Sequence, residues 1–142
     1  AGYNPIACEL FRIFDSQLNT NSRHAENGGE RFIYNPFLKC WCKPDYFNKE
    51  LKLIIEYDEE CNHYKFGKLL EEDKLKEKAI RKKYPNFTFI RIREKNYFPK
   101  RKLLKDSTDK DYEVFDKIID DILIIKRGDK NAISKRSQNC RK

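Results

Sequence analysis

Methionine is absent from the chain, even at its first position. The chain is therefore expected to be an excised or processed piece of a longer protein. Long apolar runs are missing too. The best of them, "IIDDILIIK" (118–126), is short and carries two aspartates, well below the roughly 20 apolar residues that a membrane span requires. No membrane partner is expected. The opening "AGYNPIACEL" has neither a basic start nor a long apolar segment, so it does not read as a secretory leader. Cysteines are few and odd in number, five in all, and their spacing is not that of a small secreted disulfide scaffold. An intracellular, reducing compartment is the expectation.

What the chain does have is charge. At 142 residues it is long enough for one domain with a single core. A formal net charge of +8 biases it toward polyanions, and with no membrane segment the partner expected is nucleic acid. Residues 1–126 read as the folded domain. From Arg127 onward "RGDKNAISKRSQNCRK" is basic and without apolar period, which reads as a flexible tail over 127–142.

Periodicity places the elements. "NPIACELFRIFDSQLN" (4–19) has the spacing of an amphipathic helix, with Asn4 as cap and Pro5 in the first turn. The polar, Gly-containing stretch 19–30 reads as a mobile loop. Residues 31–47 read as two strands around a turn at Asn35-Pro36, and "LKLIIEYD" (51–58) as a strand buried on both faces. A charged helix is expected over 65–84, with Leu69, Asp73, Lys76 and Ile80 on one face. Pro85 ends it; a strand over 86–93 and a helix over 111–126 follow.

The apolar strand is loaded with acid at its end. Strand alternation puts Ile54, Glu56 and Asp58 on one face, and the two carboxylates stand about 7 Å apart along it. Dry and unpaired, they would repel. A hairpin through "FNKE" returns Asp45 beside Glu56. Asp45 and Glu56 with Asp58 adjacent make an oxygen-ligand set suited to Mg²⁺ or Mn²⁺, which keeps waters and takes few protein carboxylates. The alternative is that these acids end the strand and reach water.

The order "PD", then an apolar strand ending "IEYD", resembles the PD-(D/E)XK nuclease superfamily, most closely its very-short-patch-repair, homing and viral endonuclease-like branch. The matching residues are Asp45, Glu56 and Asp58, His63, Asp73 with Lys76, and "FIRIRE" (89–94), within roughly residues 5 to 98. The resemblance implies a restriction-endonuclease-like α/β domain: a mixed sheet of about four strands flanked by helices, in the order α-β-β-β-α-β-α. It implies metal-dependent phosphodiester hydrolysis, with double-stranded DNA as partner and a homodimer left open for double-strand cleavage. It also implies a glutamate on the first helix near the metal, for which Glu9 is the candidate. Two departures stand out. Asp58 occupies the place where a basic residue is usual, and His63 follows one position later than the pattern has it.

His63 can serve as a general base, hold a phosphate, or cap a helix. Lys65 and Lys76 are candidates for the missing cation. Arg91 and Arg93 share a strand face and either pair the acids or meet phosphate. With Lys100, Arg101 and Lys102 in "NYFPKRKLLK" (96–105) they are expected to grip a nucleic-acid backbone. Cys40, Cys42, Cys61 and His63 offer a Cys-x-Cys and Cys-x-His set for Zn²⁺, against the alternative of small buried hydrophobes. Two further readings remain: an inert, zinc-stapled DNA-binding module, and a single-stranded RNA endonuclease of the same fold.

Overall fold

The computed structural model describes residues 3–99 and 109–128. Helix α1 spans Pro5–Leu18 and starts where the sequence places its cap: Asn4 Oδ1 accepts from the N–H groups of Ile6 (2.9 Å) and Ala7 (3.1 Å). Asn19, at a φ of 49°, ends it in the left-handed conformation that asparagine tolerates. Strands β1 (Ile33–Asn35) and β2 (Cys40–Cys42) form an antiparallel ribbon, Tyr34 opposite Trp41. Strand β3 (Tyr46–Asn48) turns back into β4 (Leu53–Asp58) through a tight loop, in which Asn48 Oδ1 accepts from the Leu51 N–H at 2.8 Å.

The short helix α2 (Glu60–His63) leads to a two-residue hairpin, β5 (Tyr64–Lys65) and β6 (Lys68–Leu69). Helix α3 (Glu71–Lys83), strand β7 (Thr88–Arg93), the single turn α4 (Glu94–Tyr97) and helix α5 (Asp109–Arg127) complete the order. None of the described helices is long and apolar enough to cross a membrane.

The molecule is α/β, with small and mostly antiparallel sheets. Its central sheet has the order β3-β4-β7, antiparallel on one side of β4 and parallel on the other. Every residue of β4 is buried, because it is the middle strand and both faces are covered. Leu53, Ile55 and Tyr57 join α1 and α5 in the larger core. Ile54 faces the other way, toward Ile33, Phe47, Ile80 and Phe89. The result is three layers: α1 with α5, the sheet, and α3 with the β1–β2 ribbon.

Three expectations change. The sheet has three strands rather than about four, because Ile33 packs the ribbon onto the smaller core on the sheet's face instead of joining an edge. Residues 65–70 are a hairpin and not the start of a helix. Phe66 (φ 51°) and Gly67 (φ 75°) both take the left-handed conformation, which a helix cannot contain. The 19–30 segment is pinned to the sheet. Arg23 and Phe47 exchange both backbone hydrogen bonds (2.8 and 3.0 Å), and Ser22 and His24 are buried. Lys100, Arg101, Lys102 and the basic tail from residue 129 lie outside the described residues.

Candidate active site

Strand register decides which acids meet. Tyr46 pairs with Ile55, so Asp45 stands opposite Glu56 on the face toward α3. The two residues clasp reciprocally. The Asp45 N–H donates to Glu56 Oε1 (2.8 Å), and the Tyr57 N–H donates to Asp45 Oδ2 (2.8 Å). Lys76 reaches from α3 and donates to Glu56 Oε2 at 2.8 Å. Glu56, 1% exposed, does not reach water. The simple alternative for the strand-end acids therefore fails.

Asp45 borders a cleft of about 440 Å³ between the start of α1, the end of β2, helix α2 and Lys76. Asp45 Oδ1 has no hydrogen-bond partner among the described residues. Burial, and then the neighbouring Glu56, push the Asp45 carboxyl up to about 8. Burial works against the Lys76 charge, but Glu56 and Asp45 outweigh it and hold the ammonium above its ordinary value. His63 lies on the same cleft, with Nδ1 held at 2.9 Å by Asp73 Oδ1 from the first turn of α3. That bond raises the His63 pKa, against burial. It also leaves Nε2 without a hydrogen-bond partner among the described residues.

Asp58 behaves differently from its expected role. The parallel pairing of β4 with β7 sets Arg91 and Arg93 beside Glu56 and Asp58. Arg91 Nη1 donates to both Asp58 oxygens (2.8 and 2.7 Å), and the Tyr64 hydroxyl donates to Oδ2 at 3.2 Å. Fully buried, Asp58 has a carboxyl pushed up to about 6 by burial, despite Arg91. An acid there without its guanidinium would be strongly destabilising. Asp58 is thus an internal ion-pair acid and does not line the cleft. Arg91 also meets Glu77 at 3.2 Å, while Arg93 pairs with Glu60 and stacks over Tyr64 at 4.0 Å. Arg91 takes the first of its two expected roles, pairing an acid of the cluster, whereas Arg93 pairs with Glu60 outside it.

Other candidates lie elsewhere. Glu9 sits on the flank of α1 away from the cleft, bonded to Arg12 (2.5 Å) and accepting from the Tyr112 hydroxyl of α5 (3.2 Å). Lys65 is exposed on the hairpin, 5.7 Å from the Phe66 ring. Cys40 and Cys61 are exposed, Cys42 lines the cleft, and His63 is engaged by Asp73. The four candidate zinc ligands are not assembled among the described residues.

Sequence reasoning passed over several cleft residues. Asn4 doubles as helix cap and cleft wall, while Lys43 pairs with Glu30 at 3.3 Å. Glu59 and Asn62 flank His63 in sequence and border the cleft with it. His24, also passed over, is a buried packing residue. Its ring lies 5.7 Å from Phe11 and burial lowers its pKa.

The donor set can be tested against a divalent cation. With Asp45 and Glu56 ionised, Lys76 cancels one of two negative charges and leaves one. Among the described residues no three His, Cys, Asp or Glu side chains form a metal-holding group by themselves. Two carboxylates with an open Asp45 oxygen suit an ion that keeps waters and accepts substrate oxygens, as Mg²⁺ does. They do not suit a closed zinc cage. A scan against protein-family models and searches of curated proteins and solved structures return no match.

Proposed function

We propose that the chain is a metal-dependent endonuclease that hydrolyses phosphodiester bonds in DNA, on a restriction-endonuclease-like α/β frame. The observation that carries this reading is that Asp45 and Lys76 border one cleft and are joined behind it by the buried Glu56, which accepts from the Asp45 N–H and from Lys76 Nζ. When bound to Asp45 and Glu56, Mg²⁺ or Mn²⁺ supplies a Lewis acid for a phosphate oxygen and a water of lowered pKa.

The chain's own residues do the rest. Lys76 occupies the role of the missing strand lysine. Its Nζ, already held by Glu56, donates to a non-bridging phosphate oxygen and stabilises the charge that builds in the transition state. His63 accepts the attacking water's proton at Nε2, with its ring fixed by Asp73. Arg91 keeps Asp58 neutralised beside the site, so that Asp58 does not compete with substrate phosphate by repulsion.

Incubation of supercoiled plasmid with the full chain and Mg²⁺ or Mn²⁺ tests this. Nicked or linear product is expected, and Glu56→Ala should lower the rate by at least about 100-fold. Plasmid and single-stranded DNA both left intact with both metals overturn the reading. One observation favours a binding module without chemistry: Glu56 and Asp58 each already have a cation partner. That module would bind DNA equally well with or without Glu56 and leave it uncut.

A further inference from the structure

The β1–β2 ribbon carries an aromatic face that the proposed chemistry does not use. Tyr34 and Trp41 are paired across the ribbon, their rings 5.4 Å apart and nearly perpendicular. They are 48% and 65% exposed, and Phe32 beside them is 63% exposed. Three large rings on one small surface is more than a soluble chain usually leaves bare without a binding role. A groove of about 510 Å³ runs between this ribbon and the last turns of α3, bordered by Arg31, Tyr34, Trp41, Lys82, Lys83 and Tyr84. Among the described residues no acidic one lines it. Lys82 and Lys83 have no carboxylate partner among the described residues.

The groove adjoins the cleft along two elements. Trp41 borders the groove while Cys42, Lys43 and Asp45 border the cleft. The four-residue step from Trp41 to Asp45 spans at most about 13 Å, a few nucleotides at about 3.4 Å or more each. On α3, Lys76 serves the cleft and Lys83 the groove, two helical turns or about 10 Å apart.

We propose that this groove is a stacking platform for unpaired bases of a DNA single strand adjoining the bond to be cut; the choice of occupant rests on the phosphodiesterase reading above. Every unpaired base offers a π face, so exposed rings hold a strand without reading its sequence, and flanking lysines meet its phosphates. A continuous duplex keeps those faces inside its stack and gives Trp41 nothing to hold. A second copy of the chain fits less well. A two-fold pairing over this face would set Lys82 and Lys83 close to their own counterparts. The substrate class that follows is DNA with an unpaired segment, such as a flap, gap or free strand.

Trp41 is the only tryptophan in the chain, so its emission reports on the platform. Without added metal, the full chain is titrated with a single-stranded deoxyoligonucleotide, a duplex of equal length, and the matching RNA strand. Single-stranded DNA should quench Trp41 and bind at least tenfold more tightly than duplex. Tyr34→Ala should weaken that binding roughly fivefold or more, at an unchanged unfolding temperature. Trp41→Ala, followed by anisotropy of a labelled strand, should do the same. Duplex binding as tight as single strand, tighter binding of RNA, no quenching by any of them, or self-association that buries Trp41 each overturn the platform. Quenching with neither plasmid nor single-stranded DNA cleaved keeps the platform and sinks the hydrolase. Cleavage without quenching does the reverse.

Discussion

Asp45 is the residue on which the chemistry and the stability of the fold conflict. Burial, and then Glu56, raise its carboxyl from 3.8 to about 8. The folded chain thus keeps a proton that the unfolded chain releases between those values. The stability this proton confers is complete below about pH 4 and is lost as pH rises toward 8, at up to about 1.4 kcal/mol per unit. Metal-free Asp45→Asn should flatten that slope, as read from urea midpoints between pH 4 and 8; an unchanged slope would remove Asp45 from the buried pair. Residue-level legibility followed strand parity. Glu56 and Asp58 on one face, and Asp45 returning beside Glu56, came from alternation and one hairpin. That Arg91 and not Arg93 would claim Asp58 did not, because it depends on which strand lies beside β4 and in what register. Glu9 was misplaced for a related reason. An apolar stripe has two flanks, and only the packing of α5 shows which one Glu9 takes.

Among the elements, α1 was the most legible, since its cap, its proline and its apolar stripe agree. Its start is held by the Asn4 side chain, which also donates to Glu94 at 3.3 Å. Asn4→Ala should cost about 1 kcal/mol of unfolding free energy in denaturant titration, and Asn4→Ser should recover most of it. Equal stability of all three would mean that the cap carries no weight. Helix α3 was legible only in its second part. The run "KFGKLLEED" has helical charge spacing, but Gly67 and the left-handed Phe66 turn it back on itself before Leu70. Backbone conformation at a single glycine outranked side-chain pattern there. In the ribbon, the turn at Asn35-Pro36 was evident from composition, while its placement over α3 was not.

At the scale of the whole molecule, a net charge of +8 implied a polyanionic partner but not where it would dock. Arg91 and Arg93 are spent on buried or half-buried acids. Lys82 and Lys83, which drew no notice in the sequence, stand open at the groove. Single-strand binding should weaken as salt rises, with log affinity falling by about 0.7 per phosphate neutralised for each unit of log salt. Lys82→Ala and Lys83→Ala should each make that line shallower by about one such contact, whereas Lys52→Ala should not. A line unmoved by either substitution would place the phosphates elsewhere. The three-layer order was foreseeable from alternating helices and strands. The division into a three-stranded sheet and two small ribbons was not, because face packing and edge pairing leave the same alternation in sequence.

The mutual clasp of positions 45 and 56–57 ties the gap between the acids to the loop of residues 49–52. One amino acid gained or lost in that loop would slip the hairpin, break both clasping bonds together and rotate Asp45 to the opposite side of the sheet. A short surface connection that touches no phosphate therefore acts as the gauge by which the two acids are spaced.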